Sequence, residues 1–182
     1  MLTVRRTNSM TQYASAVFAL VDDLRATFPR LDITVQQDHP QVDLNIDIPC
    51  QAGLPFSINL SLQEDELHLS VGGFWRSYHP CDRADVLHWF RETVGGLLSG
   101  SHRIVNHYRG QRLVAGDLEH LHAGEWKTVA EGYRRLWLGR RRTEILLRKP
   151  HRTPSNKPLE RAGMNRRGEG NRGCAGRSAP IR

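Results

Sequence analysis

Between Leu31 and Val71 apolar and polar residues alternate four times in succession, and few folds accept such a run. The segments are Leu31, Ile33, Val35; then Val42, Leu44, Ile46, Ile48; then Phe56, Ile58, Leu60, Leu62; then Leu67, Leu69, Val71. A period of two sends successive side chains to opposite sides of a strand, so each segment has one apolar and one polar side. The links, Asp38 to Gln41, Pro49 to Pro55 and Gln63 to Glu66, are short and rich in turn-forming residues. The four strands are therefore expected to form an antiparallel meander.

Helical spacing brackets the meander. Ser9 and Gln12 stand at capping-box distance, and Tyr13, Val17, Leu20, Val21, Leu24 and Phe28 recur at helical intervals up to Pro29. Arg5, Arg6 and the apolar run Ala14 to Val21 imitate a secretory leader, but Asp22 and Asp23 interrupt it and the helical stripe continues past them. No stretch approaches the roughly 18 apolar residues of a membrane span. Asp82 is expected to cap a second helix with the stripe Val86, Leu87, Phe90, Val94, Leu97 and Leu98, ending near Gly100. A strand around Ile104 to Tyr108 and a hairpin from Leu113 to about Tyr133 complete the order αββββαβββ. This predicts an α+β protein, about seven antiparallel strands with two helices on one face.

Helices on one face leave the other wet. On that side the alternation places Asp43, Asn45 and Asp47, flanked by Asp32, Thr34, Gln36, Ser57, Asn59 and Ser61. With the aromatic residues Trp75 and Tyr78 this surface is the expected contact face for a protein partner, since Trp and Tyr dominate interface energetics. Asp43, Asn45 and Asp47 also imitate the start of a calcium loop, but Ile48 stands where the loop needs glycine, and a strand spreads such side chains instead of wrapping an ion.

The net charge of +7 hides two opposed regions. Residues 1–131 hold 11 Lys and Arg against 16 Asp and Glu, and residues 132–182 hold 15 against 3. From Pro150 onward the chain has too few apolar residues to offset the entropy of ordering. Residues 1–149 are expected to be one domain and 150–182 a disordered basic tail. Arg134, Arg135, Arg140, Arg141, Arg142, Arg166 and Arg167, with Trp137 among them, suit nucleic-acid phosphates or another anionic surface. The same segment could also fold back on the acidic sheet face.

His120, His122 and Glu125 form the sharpest metal-like group, with residues two apart on one side of a strand and Glu125 brought opposite His122 by a turn at Ala123 and Gly124. The run Gly116, His120, His122, Glu125, Gly132 resembles the first metal motif of cupins over 17 residues, with shorter gaps, which implies those three residues as ligands. Lys127, expected opposite His120, would place an ammonium group against a bound cation. Cys81, beside His79 and the start of the second helix, is a candidate nucleophile if the helix dipole lowers its pKa. Cys50, Cys81 and Cys174 are too few and too scattered for a disulfide framework, so a reducing, cytoplasmic setting is expected. No phosphate-cradling glycine loop, nucleophile elbow or zinc-protease pattern occurs.

These features point first to a non-enzymatic adaptor domain that engages a protein partner and requires no cofactor. The alternative is a nucleic-acid-associated protein acting through residues 134–182. The third reading is a metal-dependent enzyme using the His-x-His hairpin.

Overall fold

A computed structural model describes residues 7–132 and 139–148. The protein is α+β, its described residues forming two helices and two antiparallel sheets. Helix α1 (Thr7–Thr27) precedes strands β1 (Thr34–His39), β2 (Val42–Ile48), β3 (Ile58–Gln63), β4 (Glu66–Val71) and β5 (Phe74–Tyr78). Helix α2 (Ala84–Ser99) then leads to β6 (His102–Arg109), β7 (Arg112–His122), β8 (Glu125–Glu131) and β9 (Arg141–Leu146). The first sheet has the order β1-β2-β3-β4-β5 and the second β8-β7-β6-β9.

The meander is present, and it is one strand longer than the alternation predicts because Gly72 and Gly73 turn the chain into β5. Gly72 takes a φ of +58°, which an L side chain rarely adopts, so the hairpin depends on glycine there. β9 was also not anticipated: it pairs with β6 from Ile104↔Leu146 to Arg109↔Arg141. In place of the expected single sheet of about seven strands, the described residues form nine strands divided between two sheets.

Leu44, Ile46, Ile48, Ile58, Leu60, Leu62, Leu67, Leu69 and Val71 are buried on the inner face of the first sheet, with Val17, Leu20, Val21 and Leu24 of α1 and Val86, Phe90, Val94 and Leu97 of α2 in the same core. Burying a side chain of this size contributes roughly 1.5–3 kcal/mol relative to leaving it exposed. Ser9 lies within α1, which begins two residues before it. The cap of α2 is Arg83, whose side chain makes no capping bond, and Gly100 ends the helix in the left-handed conformation.

A glycine seam joins the sheets where β5 packs against β7 without entering its ladder. A Cβ on Gly116 would lie 2.6 Å from the carbonyl carbon of Gly73, one on Gly73 would lie 2.5 Å from the Ala115 oxygen, and one on Gly132 would lie 2.5 Å from the Gly116 oxygen. Gly132 donates to that Gly116 oxygen at 2.9 Å, and Gly73 donates at 2.8 Å to the buried Asn106 side chain. The two glycines that resemble cupin motif positions therefore serve close backbone packing.

Candidate functional site

Strand register assembles the outer face of the first sheet residue by residue. Directly opposed residues share a side, so Thr34, Asp47, Asn59, Ser70 and Trp75 form one row across all five strands. Gln36, Asn45, Ser61, His68 and Ser77 form the next. The face thus carries Asp43, Asp47 and Glu66 and no Lys or Arg among the described strand residues. Asn59 donates to the Asn45 side-chain oxygen at 2.9 Å, and the Glu64 amide donates to the Asp43 carboxylate. These bonds hold the polar side chains in place, a preorganisation that lowers the ordering cost of binding.

Trp75 closes one edge of this surface. It is 44% exposed, unusual for so large a ring, and stacks on His68 with ring centroids 5.6 Å apart. His68 Nε2 lies 3.9 Å from the Glu66 carboxylate, while its Nδ1 is buried without a hydrogen-bond partner in the described structure. Such an atom costs roughly 1–3 kcal/mol when left unsatisfied. The alternation puts Asp43, Asn45 and Asp47 on this side of the sheet, whereas His68 and Glu66 are not among the residues it singles out for the face. Their signal was the period of β4 itself, in which Glu66, His68 and Ser70 alternate with buried leucines.

Tyr78 does not belong to that face. Leu67 opposes it, so it points inward and packs on Trp89 and Phe90 of α2, with centroids 4.6 and 5.6 Å away. Burial raises its pKa, and the residue acts as a joint between β5 and α2.

The β7–β8 hairpin has the expected two-residue turn, with Ala123 and Gly124 both at positive φ, His122 opposite Glu125 and His120 opposite Lys127. A bulge then shifts the register so that Leu118 faces Ala130 and not Val129, which uninterrupted pairing would set opposite it and which is half exposed. Among the described residues no group of three or more His, Cys, Asp or Glu is placed to hold a metal ion. His120 instead stacks on His102, with centroids 4.6 Å apart, and its ring lies 6.4 Å from that of His122.

Burial lowers the pKa of His102, helped by the neighbouring His120 and opposed by Glu92. The folded chain therefore resists a proton that the unfolded chain accepts below the ordinary histidine value. Stability is fully present above that value and falls as the solution becomes more acidic. Thermal melts between pH 7.5 and 5 are expected to show a smaller loss in His102→Asn than in wild type; equal losses would contradict this.

Cys81 is fully buried, and its amide donates to the Asp65 carbonyl. Burial, with Asp82 and Asp65 nearby, pushes its thiol up to about 11, so it is a neutral packing group and not a thiolate nucleophile.

Arg140, Arg141 and Arg142 are described and exposed at the start of β9. Arg142 lies over the ring of Tyr108 at 4.4 Å. Arg134, Arg135, Arg166, Arg167 and the expected tail, 150–182, lie outside the described residues. No described helix is long and apolar enough to cross a membrane. No protein-family model, curated protein or solved structure matches the chain.

Proposed function

We propose that this protein is a non-enzymatic adaptor domain that binds a protein partner on the outer face of its first sheet. The observation that carries this reading is the single surface formed by Asp43, Asn45, Asp47, Asn59, Glu66 and His68, ending at the exposed ring of Trp75. The carboxylates select a basic surface, the fixed amides and hydroxyls supply hydrogen bonds, and Trp75 supplies the large contact that commonly dominates an interface.

The test is capture with the full chain as bait, comparing wild type with Asp43→Asn/Asp47→Asn/Trp75→Ala. These side chains lie on the wet side of the sheet, so the variant is expected to melt within a few degrees of wild type. A protein recovered in stoichiometric amount by wild type and reduced at least tenfold with the variant supports the reading. Equal recovery by both, or no stoichiometric partner for either, contradicts it.

A further inference from the structure

The second sheet carries a feature of opposite sign. At the hairpin between β6 and β7, Arg109 faces Arg112, and on its other side the same Arg109 faces Arg141 of β9. Opposed residues share a side of the sheet, so three arginines stand in one row across three adjacent strands, their backbones spanning about 10 Å at the usual strand spacing. Arg140 is exposed immediately before the row, its carbonyl accepting from the Gly110 amide at 2.9 Å. The only acid of β9, Glu144, stands on the other side of the sheet, where it accepts the Tyr108 hydroxyl beside Arg142.

Like charges directly opposed across strands are destabilising, so setting Arg141 opposite Arg109 bears a cost that a bound anion offsets. Arginine also fits one kind of anion best. Its planar fork donates two parallel hydrogen bonds to a phosphate, and the chain holds 23 arginines against three lysines.

The geometry points to an anion site, with Arg109, Arg112 and Arg141 at its centre, that binds the phosphate backbone of a nucleic-acid duplex. Among the described residues of these three strands the one aromatic side chain, Tyr108, faces the opposite side beneath Arg142, so the row presents charge to its ligand. The contact reads backbone charge and not sequence. Two of the three arginines, Arg109 and Arg112, lie in a hairpin with no basic run, and only the pairing of β9 with β6 joins them to the Arg140–Arg142 cluster. This site is on a different sheet from the proposed protein-binding face, and either can fail alone.

The test is binding of a fluorescently labelled 20-base-pair DNA duplex to the full chain, measured from 50 to 300 mM salt. Each phosphate neutralised contributes about −0.9 to the slope of log K against log salt. Arg109→Gln/Arg141→Gln is expected to flatten the slope by roughly 1.8 and to weaken binding roughly 10- to 100-fold at 50 mM salt. Arg30→Gln/Arg83→Gln, the same charge change elsewhere, is expected to leave the slope unaltered. Arg109→Lys/Arg141→Lys keeps the charge and guards against a folding artefact: its slope should match wild type while affinity falls a few-fold through loss of the paired hydrogen bonds. Equal slopes for wild type and Arg109→Gln/Arg141→Gln, or equal flattening in the control, overturn the assignment. So does a row-dependent preference for phosphatidylserine vesicles over the duplex.

Discussion

Gly116→Ala is expected to be among the most damaging single substitutions in the described structure, lowering stability by about 3 kcal/mol or more. The new methyl group would meet the Phe74 amide and the Gly73 carbonyl carbon, both of them backbone atoms that no side-chain rotation can move aside. Relief requires β5 to part from β7, which would also strain the bond from the Gly73 amide to Asn106. Since Phe74 is fully buried, the separation would expose apolar core. Urea denaturation of wild type and variant measures the effect; a midpoint unchanged by Gly116→Ala would show that the sheets do not meet as described.

Gly95 and Gly96 give the second large effect and contain their own control. Both lie in α2, where glycine costs about 1 kcal/mol relative to alanine. A Cβ on Gly95 meets nothing within 4 Å, so Gly95→Ala is expected to stabilise by up to about 1 kcal/mol. A Cβ on Gly96 would lie 2.6 Å from Cγ of His102, whose ring is stacked on His120 and has little freedom to retreat. Gly96→Ala is therefore expected to destabilise by about 2 kcal/mol despite the same gain in propensity. Opposite signs at adjacent positions are the result to look for in thermal melts, and a stabilising Gly96→Ala would contradict the described packing of α2 on β6.

The contrast between these glycines also shows where sequence reasoning stops. In the sequence they are two weak points of one helix; only the arrival of β6 beside α2 distinguishes them. The meander was legible because β2, β3 and β4 each have one buried and one wet side, which writes a period of two into the residues. β5 hid because Arg76 stands between Phe74 and Tyr78 on the inner side of an edge strand, breaking the apolar alternation, although the Gly72–Gly73 pair signals a hairpin. β9 hid because five of its six residues are exposed. Its pairing with β6 spans more than thirty residues of sequence, and its composition reads as a charge cluster.

The candidate sites divide in the same way. Asp43, Asn45 and Asp47 share a face because they share a strand, so local spacing sufficed. Trp75 joins them only through the ladders linking β2 to β5, and Tyr78, three residues later, was assigned to the wrong side because β5 had not been recognised as a strand. The metal-like group depended on a hairpin whose turn was read correctly, yet spacing could not reveal that His102 comes from β6 to stack on His120. The arginine row required the topology of the second sheet, since Arg109 and Arg141 are far apart in sequence and adjacent only across a ladder.

Amide hydrogen exchange on the full chain, alone and in complex with the protein it captures, tests the central claim most directly. Binding to the outer face of the first sheet predicts slower exchange in residues 43–47, 59–63, 66–70 and 75–77, with α1 and α2 unchanged. Slower exchange confined to the helices or to the second sheet would place the partner elsewhere and contradict the adaptor reading.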